Sequence, residues 1–176
     1  MQFFKEDLRA VKGFIFDVDG VLSFDYSPLD AEGNPMRTSN VKDGYAIRLA
    51  LQQGYVVGII TGGVQRAVEL RHRKLGVEHY YDNTLDKINA FEEILQKTGL
   101  AASEILYMGD DLPDISVMKK AGIATCPATA VPEIKQVARY VSAYEGGKGC
   151  VRDVIEQVMR AQDTWPMDEI SLKQAF

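Results

Sequence analysis

Long apolar runs are missing from this 176-residue chain, and so is any excess of basic charge. No run approaches the ~18 apolar residues that a membrane span needs, and the first residues lack the basic and then apolar order of a secretion signal. Twenty basic against 25 acidic residues give a net charge of −5, which argues against a broad nucleic-acid-binding face. The two cysteines, Cys126 and Cys150, form neither a CxxC motif nor a disulfide framework. We therefore expect a cytoplasmic protein that neither crosses a membrane nor binds nucleic acid.

What is present is a globular composition, with 46% hydrophobic and 26% charged residues. Short apolar runs predict five buried strands, at residues 11–18, 55–61, 105–110, 123–126 and 140–142. Amphipathic stretches between them predict helices at residues 43–53, 64–75, 87–97, 112–120, 132–138 and 151–161. Strands that alternate with helices are typical of a parallel sheet covered on both faces. We therefore predict an α/β fold with a Rossmann-like parallel sheet.

Two segments do not follow this alternation. Residues 23–40 contain turn formers around Pro28, Gly33 and Pro35, which predict a small β-hairpin inserted after the first strand. Residues 163–176 form a tail without a clear period. No repeat or linker divides the sequence, so we expect residues 1–176 to form a single domain.

Charged and polar residues collect where the predicted strands end. In a parallel sheet the carboxyl ends of the strands share one edge, and ligands bind there. Each motif alone is commonly a plain turn, because Asp and Gly favour turns. The occurrence of all these motifs at the same edge of the sheet by chance is much less common than the occurrence of any one of them as a plain turn. The residues at this edge are Asp17, Asp19, Thr61, Lys87, Asp110, Asp111 and Asp114.

So many acids at one edge need a cation. Two carboxylates about 4 Å apart repel each other by ~4 kcal/mol at an effective dielectric constant of about 20. Oxygen ligands without paired His or Cys favour Mg²⁺ over zinc, and Mg²⁺ typically binds one or two carboxylates together with a substrate phosphate. The sequence therefore predicts a Mg²⁺ site that accepts a phosphate ester.

The same residue types can hydrolyse such an ester. One carboxylate can attack phosphorus, and a second, two residues further on, can protonate the leaving alcohol and later deprotonate water. Thr61 and the amides of Gly62 and Gly63 can donate hydrogen bonds to the phosphoryl oxygens, while Lys87 neutralises charge. This combination indicates a magnesium-dependent phosphomonoesterase.

The order and spacing of these motifs resemble the four motifs of the haloacid dehalogenase superfamily of phosphatases. Within it, the chain resembles the 3-deoxy-D-manno-octulosonate 8-phosphate phosphatases through residues 40–44, Arg48, the small hairpin insert, residues 146–149 and Arg152. The resemblance covers residues 11–162. The superfamily motifs are Asp17-Val18-Asp19-Gly20, Thr61-Gly62, Lys87 and Gly109-Asp110-Asp111-x-x-Asp114.

The resemblance implies roles for individual residues. Asp17 would be the nucleophile and a metal ligand, Asp19 the acid/base with a metal-binding backbone carbonyl, and Asp110 a further ligand. Thr61 and Lys87 would hold the phosphoryl group. Asp111 and Asp114 would contact the metal ligands without binding the metal themselves. Substrate-binding residues would be Asn40, Val41, Lys42, Asp43, Gly44, Arg48, Gly62, Gly63, Arg71, Lys87 and Arg152.

The resemblance also implies the substrate and the assembly. The substrate would be a phosphorylated 3-deoxy-2-keto sugar acid, hydrolysed through an aspartyl-phosphate during lipopolysaccharide precursor synthesis. The family implies a homotetramer in which the hairpins pack together and a basic C-terminal segment, here Lys148 and Arg152, reaches a neighbour's active site. One position departs from the family, because relatives usually carry Arg where this chain has Gly63. Arg66 is a candidate replacement for that cation.

Three alternatives remain at this point. Gly63 keeps open a phosphatase for a nine-carbon 2-keto-3-deoxy sugar acid 9-phosphate. A receiver-like signalling module also has a parallel sheet with an acidic metal site, but there the phospho-acceptor follows a middle strand, which here ends in Thr61. A non-catalytic assembly subunit would have no need for the clustered acids.

Overall fold

The computed structural model describes residues 5–84 and 86–166. Within these ranges, six parallel strands form one sheet in the order β3-β2-β1-β4-β5-β6. The strands are β1 (Gly13–Phe16), β2 (Val56–Ile60), β3 (His79–Tyr81), β4 (Ile105–Met108), β5 (Ile123–Cys126) and β6 (Tyr140–Val141). The helices are α1 (Lys5–Arg9), α2 (Val41–Gln52), α3 (Arg66–Leu75), α4 (Lys87–Thr98), α5 (Ile115–Lys120), α6 (Pro132–Val137) and α7 (Cys150–Ala161).

The central strand β1 separates two hydrophobic cores. Its side chains alternate between the faces of the sheet, so that Phe14 and Phe16 enter one core and Ile15 enters the other. Helices α1, α2 and α7 cover the first core, whereas α4, α5 and α6 cover the second. The predicted parallel sheet with helices on both faces is confirmed.

Two elements were not predicted from the sequence. Strand β3 is a three-residue edge strand, His79–Tyr81, too short for a period-2 pattern to stand out. Helix α1 has five residues, and its Leu8 packs into the first core.

Local capping explains where two predicted helices begin. Asn40 accepts hydrogen bonds from the amides of Lys42 and Asp43, so α2 starts before residue 43. The stretch predicted as a helix at residues 112–120 is divided, because a 3₁₀ turn, Leu112–Asp114, precedes α5. Asp111 caps this turn by accepting from its neighbour's amide.

The segment between β1 and α2 follows a short helical turn, Val18–Leu22, in which Asp19 and Gly20 are non-helical. It then reverses direction at an antiparallel bridge between Leu29 and Pro35. Asp30 fixes the reversal by accepting from the amides of Glu32 and Asn34. Residues 23–40 are called the hairpin below.

Helix α7 returns to the start of the chain and packs on α2 and α1. The loop before it touches the turn after β1 through backbone atoms. The amide of Gly147 donates to the carbonyl of Val21 at 2.8 Å, and a Cβ on Gly146 would lie 1.9 Å from the carbonyl oxygen of Gly20. The predicted tail lies partly outside the described residues, beyond residue 166. Among the described helices, none combines the length and the apolar character that a membrane crossing requires.

Candidate active site

The carboxyl ends of β1, β2 and β4 open into one cavity of about 470 Å³. These three strands are neighbours in the sheet, so the residues that follow them meet. Asp17 follows β1, Thr61 follows β2 and Asp110 lies just past β4. The lining residues are Asp17, Asp19, Gly20, Asp25, Thr61, Gly62, Gly63, Thr84, Lys87, Asp110, Asp111, Pro113, Asp114, Thr129 and Val131.

Asp17 is buried and held from two sides. Its Oδ1 accepts a hydrogen bond from the amide of Val18 at 2.7 Å, and its Oδ2 lies 3.0 Å from Nζ of Lys87. Lys87, at the start of α4, is also buried. This places a fixed carboxylate at the floor of the cavity beside a buried ammonium group.

Asp114 is saturated by hydrogen bonds within the protein. Its Oδ1 accepts from Nζ of Lys87 at 2.7 Å and from the hydroxyl of Tyr107 at 2.6 Å. Its Oδ2 accepts from the amides of Asp110 and Asp111. Asp114 therefore orients Lys87 and the Asp110 loop instead of facing a ligand.

Burial sets the protonation of these groups. It raises the pKa of Asp17 to about 7, with repulsion from Asp114 as the second cause. Burial also raises the pKa of Asp110 to about 8, and repulsion from Asp17 is the second cause of this increase. Burial alone lowers the pKa of Lys87, but attraction to Asp17 and Asp114 outweighs it and raises that pKa. Without a counter-ion, the two acids therefore carry a large cost of ionisation.

This donor set fits a hard divalent cation. Carboxylate oxygens of Asp17, Asp110 and Asp114 lie within 4.8 Å of one another. Since Asp114 is saturated, Asp17 and Asp110 are the side chains with capacity for a ligand. Carboxylate oxygens of this kind suit Mg²⁺.

Gly20 makes the approach of the two acids possible. A Cβ at this position would lie 1.9 Å from Oδ2 of Asp110, and its φ of +75° favours glycine. The Asp-x-Asp-Gly turn thus brings the loop after β1 against the carboxylate that follows β4.

The loop after β2 carries Thr61, Gly62 and Gly63. The amide of Gly63 donates to Oγ1 of Thr61 at 3.2 Å. The sequence predicts that this amide donates to the phosphoryl group, but in the structure it donates within the Thr-Gly-Gly turn. The hydroxyl of Thr61 accepts that bond and can still donate its own proton toward the cavity.

The other sequence-predicted substrate residues do not line this cavity. Asn40 caps α2 and donates to the carbonyl of Gly147 at 3.0 Å. Gly44 packs on Arg71, which lies in a separate depression beside the hairpin. Arg48 lies on the exposed side of α2, as Val41 does at its start.

Asp43 and Arg152 instead join two helix termini. Oδ1 of the buried Asp43 accepts from the amide of Arg152, on α7, at 2.7 Å. Nε of Arg152 pairs with Glu156 at 3.2 Å, and its guanidinium lies over the ring of Trp165. Lys42 and Arg152 line a surface depression together with Lys148.

Sequence reasoning missed Arg37 and Tyr107. Arg37, on the returning arm of the hairpin, pairs with the carboxylate of Asp19 through two hydrogen bonds. Tyr107 lies within β4 and donates to Asp114 from inside the core. Its apolar strand context hides this polar contact from sequence inspection. The lack of a cation at residue 63 was a signal that a cation must come from elsewhere, but it led to Arg66 and not to Arg37.

A family model described as haloacid dehalogenase-like hydrolase matches residues 76–154. These residues include Lys87, Asp110, Asp111 and Asp114. Together with the parallel sheet and the acidic cluster at its carboxyl edge, this match defines the chain as a hydrolase of the haloacid dehalogenase class.

More specific relatives cover most of the chain. The chain is 40% identical over 157 residues to the 3-deoxy-D-manno-octulosonate 8-phosphate phosphatase KdsC of Escherichia coli K12, spanning 89% of this chain and 82% of that protein. The chain belongs to the family of these phosphatases and is a phosphomonoesterase, so the resemblance inferred from the sequence is confirmed. The receiver-like and non-catalytic alternatives are wrong.

Solved structures agree with this membership. The phosphatase of that name from Yersinia pestis superposes with a TM-score of 0.87 at 34% identity, covering 91% of this chain and 86% of the other. The enzyme from Moraxella catarrhalis, solved with a magnesium ion, a phosphate ion and a KDO molecule, superposes with a TM-score of 0.86 at 31% identity, covering 90% and 91%.

Proposed function

We propose that the chain hydrolyses 3-deoxy-D-manno-octulosonate 8-phosphate to the free sugar acid and phosphate, with Mg²⁺ as its cofactor. The observation that carries this proposal is the convergence of Asp17, Asp110 and Lys87 in one cavity of a chain 40% identical to such an enzyme. Asp17 and Asp110, with the backbone carbonyl of Asp19, would hold Mg²⁺. The bound ion supplies charge neutralisation for the carboxylates and the phosphoryl oxygens.

In the first half-reaction, a carboxylate oxygen of Asp17 attacks phosphorus, and the bond from phosphorus to the sugar oxygen breaks. The proton that the leaving oxygen needs comes from the carboxyl group of Asp19. The contacts of Asp17 with the Val18 amide and Lys87 support this step, because they restrict the carboxylate to one orientation.

In the second half-reaction, Asp19 takes a proton from water while the water oxygen attacks phosphorus. The bond from phosphorus to Asp17 breaks, and phosphate leaves. Lys87 stabilises the negative charge that returns to the Asp17 carboxylate when its bond to phosphorus breaks, since Nζ of Lys87 lies 3.0 Å from Oδ2 of Asp17. The hydroxyl of Thr61 donates to a phosphoryl oxygen.

We further propose that the enzyme acts in the cytoplasm on lipopolysaccharide precursors, as a homotetramer of single-domain subunits. Exposed apolar side chains on the hairpin, at Tyr26, Leu29 and Met36, support packing between hairpins. Lys148 and Arg152, beside the start of α7, are the cations proposed to reach a neighbour's active site.

Steady-state phosphate release with Mg²⁺ tests the substrate. The panel contains the eight-carbon acid 8-phosphate, the nine-carbon 2-keto-3-deoxy acid 9-phosphate and hexose 6-phosphates. We expect kcat/KM for the eight-carbon ester to exceed that for hexose phosphates by at least ~10²-fold, because a site built for a carboxylate rejects substrates without one. A preference for the nine-carbon ester would reassign the substrate, and equal rates across the panel would overturn the sugar-acid proposal.

A further inference from the structure

The hairpin places a guanidinium group directly behind Asp19. Nε of Arg37 donates to Oδ1 of Asp19 at 2.6 Å, and Nη2 donates to Oδ2 at 2.8 Å. The Arg37 side chain is only 9% exposed, whereas that of Asp19 is 48% exposed and lines the cavity. A bidentate pair of this kind fixes the plane of the carboxylate as well as its position.

Gly63 leaves the space that Arg37 occupies. A Cβ at this position would lie 2.1 Å from Nη2 of Arg37 and 3.2 Å from Oδ2 of Asp19. The φ of Gly63 is not among the positive values in the chain, so the backbone conformation does not demand glycine here. The reason for glycine is therefore steric: any side chain at residue 63 would displace the guanidinium group.

Other contacts hold this arm of the hairpin against the site. The amide of Arg37 donates to Oε1 of Gln65, and Nε2 of Gln65 donates to the carbonyl of Pro35. The amide of Thr38 donates to Oγ of the buried Ser23 at 2.9 Å. Arg37 thus reaches the carboxylate of Asp19 from a segment tied both to the loop after β2 and to the turn after β1.

We propose that Arg37 is a positioning residue for Asp19, and that Gly63 admits its guanidinium group so that the hairpin completes the acid/base site. This inference rests on the proposed function. A carboxylate has about four lone-pair positions on its two oxygens, so the bidentate pair leaves two of them for the leaving oxygen or water. Without Arg37, a half-exposed Asp19 would rotate among several orientations, and few of them would face the leaving oxygen.

Two phosphate esters with different leaving groups distinguish this positioning role from general structural support. An alkyl phosphate requires a proton on its leaving oxygen, whereas p-nitrophenolate departs as a stable anion. We expect Arg37→Ala to lower kcat/KM for the sugar-acid phosphate by roughly 10- to 100-fold, but for p-nitrophenyl phosphate by less than about 3-fold. Arg37→Lys should recover part of the loss, and added guanidinium ion should rescue Arg37→Ala.

Arg139→Ala, which breaks an arginine–aspartate pair with Asp7 away from the cavity, is the matched control and should leave both values of kcat/KM unchanged. Equal losses from Arg37→Ala on the two esters, or no loss on either, would overturn the inference.

A double-mutant comparison tests the role of Gly63. Gly63→Ala should reduce kcat/KM for the alkyl ester about as much as Arg37→Ala does. In the Arg37→Ala background, the same substitution should have no further effect, because the group that it would displace is gone. Independent, multiplicative losses would show that residue 63 does not act through Arg37 and would overturn the coupling.

An NMR measurement keeps this test separate from the proposed function. The Nε–H of Arg37, bound to Asp19, should give a distinct arginine side-chain signal in the ¹⁵N-labelled protein, and Gly63→Ala should remove it. A signal that persists unchanged in Gly63→Ala would overturn the inference. A wild-type protein inactive on both esters would instead overturn the proposed function, whatever the signal shows.

Discussion

At the scale of single residues, the carboxylate of Asp17 has one oxygen bonded to the Val18 amide and the other beside Lys87. Replacing it by an amide keeps the shape but removes the nucleophile. We expect Asp17→Asn to lower kcat by at least ~10³-fold and to abolish formation of a phosphoenzyme, measured by phosphate release and by mass spectrometry after acid quench. Asp163→Asn makes the same chemical change outside the cavity and should be neutral. Near-normal turnover by Asp17→Asn would exclude the covalent route.

The acids of the site also predict how stability depends on pH. Burial raises the pKa of Asp17 to about 7 and that of Asp110 to about 8, from an ordinary value of 3.8. The folded chain therefore binds these protons more tightly than the unfolded chain, and the stability they contribute is lost as the pH rises from 3.8 toward about 8. A divalent cation favours the ionised forms and opposes this loss.

Thermal unfolding with Mg²⁺ and with EDTA measures this effect. We expect Mg²⁺ to raise Tm by on the order of 5 °C more near pH 8 than near pH 5, as a change of about 2 kcal/mol would do in a chain of this size. In Asp110→Asn, the increase in Tm caused by Mg²⁺ should depend less on pH. The same increase in Tm at both pH values would contradict the assignment of these acids to the metal site.

Sequence motifs were sufficient to predict that Asp17, Asp19, Lys87 and Asp110 meet in one cavity, because each follows a strand or opens a helix at the carboxyl edge. Their catalytic and metal-binding roles stay predictions. The motifs were insufficient for Arg37, whose position depends on how the hairpin folds back. Arg66 was the expected replacement for the missing cation. The guanidinium group beside Gly63 belongs instead to Arg37, which pairs with the carboxylate of Asp19.

At the scale of elements, α2 and α7 meet at a buried acid. Asp43, in the first turn of α2, accepts from the amide of Arg152 in the first turn of α7. Burial raises the pKa of Asp43 to about 6. Asp43 thus supplies an acceptor to an amide in the first turn of α7, where helix amides lack a partner within the helix.

Removing this acid should separate the two helix termini. We expect Asp43→Ala to reduce stability by about 1–2 kcal/mol, the usual effect of losing a capping side chain, and Asp43→Asn to cost less because it keeps an oxygen acceptor. Urea unfolding followed by circular dichroism measures the change. The adjacent exposed Lys42, replaced by alanine, is the control. Equal stability of Asp43→Ala and Lys42→Ala would contradict the capping role.

Strand and helix periods predicted most elements, and their errors have local causes. Strand β3 has only three residues, His79–Tyr81, of which two are consecutive tyrosines, so no alternation was evident in the sequence. The start of α5 shifted because Asp111 and Pro113 favour a 3₁₀ turn. Hydrophobic periodicity carries no information about such capping at a terminus.

At the scale of the whole molecule, the hairpin presents Tyr26, Leu29 and Met36 to solvent in a single chain. If hairpins pack together, sedimentation should give a mass about four times the 19.6 kDa of one chain. We expect Leu29→Asp combined with Met36→Asp to shift the mass toward that of one chain. The control is Val141→Asp, an exposed apolar residue on the edge strand β6. A wild-type mass of one chain would contradict the proposed tetramer.

The backbone contact between the loop before α7 and the turn after β1 has a consequence for biosynthesis. Gly147 donates to Val21, and Gly146 lies against Gly20, so the turn that carries Asp19 receives its last packing partners from residues more than a hundred positions later. During translation, the ribosome makes Asp17 and Asp19 early and this loop late. We therefore expect the nascent chain to gain activity only after α7 has left the exit tunnel.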